Sequence, residues 1–217
     1  MKGNYMLKKL REPVNSLTHW AGAILGVIGL IALLIVGWST PAKIISLLIY
    51  GLSLIAMFSA SATYHMVQVK DKVLEIFRKV DHSAIFLLIA GTYTPFCVNA
   101  FTGFWKWGML SIVWSLAVIG IGVKIFYIGA PRWVNAGIYV LMGWMSVASA
   151  GQMLSQLPTW VFVWMIVGGV IYTLGAVVYA TKIFNFKPGV FGFHEVWHIF
   201  VLLAAAAHFV AVMGVAI

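Results

Sequence analysis

Seven apolar runs, each about 20 residues long, decide what this chain can become. They occupy approximately residues 19–38, 43–66, 82–102, 106–128, 133–153, 159–182 and 194–217. A hydrocarbon layer offers no water to backbone N–H and C=O groups. A segment that enters it must therefore be helical or belong to a closed barrel. Barrel strands would be about 10 residues long and would alternate apolar with polar positions. These runs are longer and do not alternate. The chain reads as an all-α, polytopic membrane protein with seven transmembrane helices in one domain over residues 1–217.

Composition supports that reading. Of the 217 residues, 63% are hydrophobic and 9% charged, which leaves too little polar surface to coat a soluble globule. Several of the ten Trp and eight Tyr stand at run ends, where an interfacial aromatic belt places them. The single cysteine, Cys97, excludes an internal disulfide and is expected as a small core residue. The first run is too long for a signal-peptide core and lacks a small-residue cleavage site, so it is expected to stay as a helix. Paired glycines and glycine stripes (Gly22, Gly26, Gly29, Gly168, Gly169) mark close helix packing.

A net charge of +9 would suggest nucleic acid in a soluble protein, but here its distribution explains it. Twelve of the 14 lysines and arginines fall on one side of a seven-helix threading: Lys2, Lys8, Lys9, Arg11, Lys70, Lys72, Arg78, Lys79, Lys124, Arg132, Lys182 and Lys187. Only Lys43 and Lys106 fall on the other. Basic loops stay in the cytoplasm, so the N-terminus is predicted inside and the C-terminus outside, in the inner (plasma) membrane. Between the second and third runs, Val69, Val73, Phe77 and Val80 recur at helical spacing among charged residues. This stretch, 66–80, reads as a short amphipathic helix lying on the cytoplasmic interface.

With that threading the rare polar groups converge on one leaflet. Glu12, Asn15, Thr18 and His19 open the first helix, His65 ends the second, Asp81 opens the third, and His194 and His198 open the seventh. His194 and His198 are four residues apart and share a helical face. Ser61 precedes His65 by one turn on its face. Three neutral imidazoles from two helices suit Zn²⁺, with a water completing a catalytic-type tetrahedron. Asp81 would orient or deprotonate that water, or hold a ligand histidine from behind. His82 reads as an interfacial or hydrogen-bonded residue. His208 lies ten residues beyond His198, about 15 Å deeper on another face, and so outside the metal set.

The string His194-Glu195-Val196-Trp197-His198 also matches the HExxH signature of zinc proteases, in which the glutamate is the general base. That reading is the weaker one. Glu195 points about 100° from His194 along the helix, and only Asp81 could serve as the carboxylate ligand from another helix.

Three ordered motifs resemble those of the progestin and adipoQ receptor superfamily: Glu12-x-x-Asn15-x-x-Thr18-His19, Ser61-x-x-x-His65 followed by Asp81, and His194-x-x-x-His198 followed by His208. Chain length and short loops resemble its bacterial hemolysin III branch. The resemblance implies seven helices, a cytoplasmic N-terminus and a cytoplasmic-side zinc held by His65, His194 and His198. It places Asp81 near the metal-bound water with Ser61 in support. It also implies ties to ceramidase-type hydrolysis and to membrane-lipid homeostasis. The expected function is a zinc-dependent hydrolase of a membrane-lipid amide or ester, with a membrane lipid as its partner and no nucleic acid. A non-enzymatic sensor of membrane state with structural zinc is the alternative. A pore-former is disfavoured, because no helix carries a polar stripe long enough to line a channel.

Overall fold

The computed structural model describes residues 10–187 and 190–217, and all of its regular structure is helical. Lys2, Lys8 and Lys9 of the charge count, and Pro188 and Gly189 of the last loop, lie outside the described residues. Eight α-helices follow in order: α1 (Pro13–Val36), α2 (Pro41–Met66), α3 (Asp71–Asn99), α4 (Gly103–Phe126), α5 (Arg132–Trp144), α6 (Ala150–Gln156), α7 (Thr159–Thr181) and α8 (Phe193–Ala216). A 3₁₀ segment, Met145–Ser149, joins α5 to α6.

Local chemistry sets the ends. Pro13 and Pro41 stand at first-turn positions, where a missing N–H costs nothing and the fixed φ favours the helix. The Thr40 hydroxyl caps α2 by accepting from the Lys43 N–H at 3.3 Å. Lys182 closes α7 in the left-handed conformation, φ 58°. The Glu195 carboxylate accepts from the Gly192 N–H at 2.7 Å and so caps the start of α8.

Among the described residues, six helical stretches are long and apolar enough to cross a membrane: Pro13–Val36, Pro41–Met66, Gly103–Phe126, Arg132–Gln156, Thr159–Thr181 and Phe193–Ala216. Their outward faces are bare hydrocarbon. Ile24, Leu25, Ile28, Ile31 and Ile35 are all exposed along α1 alone. So continuous an apolar surface belongs in lipid. The chain is a multi-pass membrane protein.

α3 is the long helix outside that set, and here the structure departs from the seven apolar runs. The charged stretch 71–80 and the apolar run from 82 onward are one unbroken helix, not an interfacial connector followed by a span. The first ten residues carry five charges, and the rest is diluted by inward-facing Asp81, Thr92, Tyr93 and Thr94. The expected fifth helix, 133–153, is also revised. It breaks after Trp144 into the 3₁₀ segment and the short α6.

α2 packs along α1 and α3, α4 lies on α3, and α8 runs between α1, α3 and α7. Gly22 lets α1 approach Phe58 and Leu202, and Gly168 lets α7 approach His208. A Cβ at these positions would lie 2.8 Å and 2.1 Å from those side chains. Gly169 has only ordinary contacts. Cys97 is a buried free thiol in the core, as expected.

Candidate metal centre

His65 occupies the last turn of α2, and His194 and His198 the first turns of α8. Packing of α1 and α3 around these ends brings the three rings together, although α2 and α8 are far apart in the chain. One nitrogen from each ring can be chosen so that all lie within 4.8 Å of one another. The ring centroids are 5.0 Å apart for His65–His194, 4.6 Å for His65–His198 and 4.9 Å for His194–His198. His65 and His198 are buried and His194 is partly open.

A carboxylate backs the first ring. His65 Nδ1 lies 2.6 Å from Glu12 Oε2. A carboxylate only accepts, so Nδ1 is the donor and Nε2 is left free to face the other two rings. Asn15 Nδ2 donates both to Glu12 Oε2 at 3.0 Å and to Glu195 Oε1 at 2.9 Å. The backbone joins in, because the Glu12 N–H donates to the His65 carbonyl at 2.9 Å. Burial alone would raise the Glu12 carboxyl, but the hydrogen bond and charge of His65 outweigh it and hold the group at about 2.

The residues present suit a metal. His198 Nδ1 is buried and has no hydrogen-bond partner among the described residues. Buried polar atoms are rarely left so. Three imidazoles, one of them oriented by a carboxylate from behind, form the donor set that borderline metals such as zinc accept.

Glu12 therefore stands behind His65, where the sequence had pointed to Asp81. Glu195 accepts from the Gly192 N–H and from Asn15, so it caps α8 and joins the same network. Asp81 and Ser61 line the cavity beside His194 and His198. His19 does not join the ring cluster edge-on. It stacks on His198 with centroids 3.9 Å apart, and both of its nitrogens are buried without partners. The Thr18 hydroxyl donates to the Val14 carbonyl at 2.8 Å and stays within its own helix. Two signals pointed to Glu12: an acidic residue at the mouth of an apolar run, and its place at the head of the Glu12-x-x-Asn15-x-x-Thr18-His19 motif.

A cavity of about 150 Å³ runs from His194 and His198 into the bundle. His19, Ser61, Asp81, His194 and His198 stand at one end, and Tyr172 and His208 at the other. His198 and His208 are ten residues apart on one helix, so the cavity runs about 15 Å deep. His208 Nε2 bonds to the Met165 carbonyl at 3.1 Å, away from the triad. The walls between are chiefly apolar, with Ile85, Leu88 and Ile89 on α3 and Val201 on α8.

The profile of the family described as "Haemolysin-III related" matches residues 7–209. Hemolysin-3 of Bacillus cereus is 34% identical over 206 residues, covering 93% of this chain and 90% of its own. The Hemolysin-3 homolog of Bacillus subtilis is 34% identical over 204 residues, covering 93% and 92%. The human monocyte to macrophage differentiation factor is 29% identical over 174 residues, covering 76% and 67%.

Proposed function

Because this chain belongs to the haemolysin-III-related family and gathers three imidazoles at the mouth of a deep apolar cavity, we propose that it is a zinc-dependent hydrolase of a membrane lipid. The observation that carries the reading is adjacency: His194 and His198, two of three clustered imidazoles, also line a chiefly apolar cavity. α3 is the seventh span, the seven helices form one domain, and the N-terminus faces the cytoplasm of the inner membrane. The excess of Lys and Arg on that side supports the orientation.

His65, His194 and His198 would hold the zinc, which when bound supplies Lewis-acid polarisation of a lipid carbonyl and eases deprotonation of a water. The protein's own groups do the rest. Glu12 fixes the His65 tautomer through Nδ1. The Asp81 carboxylate accepts the proton from the attacking water and returns it to the leaving amine or alkoxide. The Ser61 hydroxyl orients that carboxylate. The apolar wall takes the acyl chain and excludes bulk water. The chemistry is hydrolysis of an amide or ester, ceramidase-like in kind, and serves membrane-lipid homeostasis.

The Glu195–Asn15–Glu12–His65 chain favours a second reading, in which the metal ties α1, α2 and α8 together in a non-enzymatic regulator. Two variants separate the readings. The double substitution His194→Ala with His198→Ala should abolish zinc retention, and full retention would refute the metal site. Asp81→Ala should keep the zinc and lose lipid hydrolysis. Unchanged function in that variant selects the structural tie.

A further inference from the structure

The cavity is polar at both ends and apolar between them. Two cross-helix bonds close the end away from His194 and His198. The Tyr93 hydroxyl of α3 reaches the Met142 and Gly143 carbonyls of α5 at 2.9 and 2.7 Å. His208 of α8 bonds through Nε2 to the Met165 carbonyl of α7 at 3.1 Å. All of these residues except Met142 line the cavity. This floor is deep on both α3 and α8. Tyr93 comes 12 residues after Asp81, and His208 ten after His198. Those spacings are about 18 and 15 Å along the helix axes.

Most polar atoms of the floor are spent on the protein itself. Tyr93 and Ser146 answer the break in α5, since both donate to the Gly143 carbonyl just before it. The Thr173 hydroxyl donates to the Gly169 carbonyl at 2.7 Å and accepts from Trp144 Nε1 at 2.9 Å. Two groups are left over. A carbonyl only accepts, so His208 Nε2 is the donor, and in a neutral ring Nδ1 is a bare acceptor. The Cδ2–Nε2 edge of that ring faces Gly168 of α7, which turns Nδ1 away from that helix. Tyr172 packs beside the ring with centroids 5.5 Å apart, and both residues line the cavity. Among the described residues neither His208 Nδ1 nor the Tyr172 hydroxyl has a hydrogen-bond partner. An alkyl end lodged here would leave them unpaired, and buried polar atoms are rarely left so.

The depth sets a chain length. C–C bonds of about 1.52 Å meeting at about 111° advance about 1.25 Å per carbon, so about 12 carbons cover the distance. We propose that the cavity binds an acyl chain that ends in a hydroxyl, and that His208 and Tyr172 recognise this hydroxyl about 12 carbons from the polar head. The ligand hydroxyl donates to His208 Nδ1 and accepts from the Tyr172 hydroxyl, a pairing that an alkyl end cannot offer. The proposal rests on the cavity as an acyl-chain site, as in the proposed function, and on neither zinc nor hydrolysis.

The purified full chain in detergent is titrated with dodecanoate and 12-hydroxydodecanoate, and with the corresponding pairs of eight and 16 carbons, by isothermal titration calorimetry. The 12-carbon hydroxy acid should bind about tenfold more tightly than dodecanoate. The hydroxyl should bring no gain in the shorter and longer pairs, where it stops short of the floor or overruns it. Tyr172→Phe breaks no hydrogen bond within the protein and should cut the preference about threefold or more. His208→Phe should erase it. That variant also releases the Met165 carbonyl, so Tyr172→Phe carries the test if His208→Phe does not fold. Dodecanoate that binds as tightly as its hydroxy partner, or more tightly, overturns the proposal and leaves the acyl-chain site standing. A preference that is equal at all three lengths, or that Tyr172→Phe leaves intact, overturns it too. If no chain binds, the acyl-chain site falls together with the proposal.

Discussion

The α1–α2–α3–α8 cluster and the α5–α6 arm face each other across the cavity, and they are built differently. In the cluster, helices pack along their lengths and polar atoms are tied in chains, such as Glu195–Asn15–Glu12–His65. The arm touches α7 and, sparsely, α3, and its helix is broken at Met145–Ser149. All three triad histidines belong to the cluster. The arm supplies wall residues such as Tyr139, Val140 and Trp144. On the proposed reading, metal ligands need the fixed positions that close packing gives, and a wall for a chain of variable shape suits the looser arm.

The largest effect should come from breaking the cluster's polar tie. Glu12→Ala removes the carboxylate behind His65 and should lower metal affinity about 10- to 100-fold. Competition with a zinc chelator measures it, and wild-type affinity would show that the tie does not hold the ligand. Glycines give the sharper contrast between the two regions. A Cβ at Gly91 in α3 would lie 2.1 Å from Ser53 Oγ and 2.8 Å from Ser53 Cβ, whereas one at Gly137 in α5 meets nothing within 4 Å. Gly91→Ala should therefore cost about 1–3 kcal/mol. Gly137→Ala should stabilise by up to about 1 kcal/mol through helix propensity. Thermal unfolding in detergent reads both, and equal shifts would erase the distinction.

A smaller effect is expected where the regions meet. The Tyr93 hydroxyl on α3 reaches the carbonyls of Met142 and Gly143, at 2.9 and 2.7 Å, just before the break in α5. Tyr93→Phe should cost about 1 kcal/mol and speed amide exchange in α5 ahead of α2. Uniform exchange across both helices would argue against a pin at that point. The smallest effect is with pH. Glu12 is held at about 2 against an ordinary 4.5, so its contribution to stability is complete above about 4.5 and fades as pH falls towards 2. The group is about one-third exposed, and solvent screens much of the gain. Stability scanned from pH 7 downward should show no loss from this group before about 4.5, and an earlier loss would assign the tie elsewhere.

What the sequence displayed and what it hid follow physical lines. Apolar length is a local property, so the runs at 43–66, 106–128, 159–182 and 194–217 end within three residues of the observed helices. The His194/His198 pair is also local, because a four-residue spacing fixes the face. Continuity through Asp81 was hidden, since a change from charged to apolar residues looks like a boundary. Yet no Gly or Pro lies between Lys70 and Ala90 to stop a helix. The break at Met145–Ser149 was hidden because it contains neither residue, and the Tyr93 hydroxyl that reaches the carbonyls just before it lies about 50 residues away. The Glu12–His65 bond was hidden because its partners are 53 residues apart and meet only through packing of α1 on α2.

That separation has a consequence in time. A ribosome delivers Glu12 first, His65 soon after, and His194 and His198 only as α8 is made. Until α8 lodges against α1, Asn15 has one carboxylate to bridge instead of two, and His65 faces no companion ring. The three-ring cluster thus closes last, once the other helices are in place.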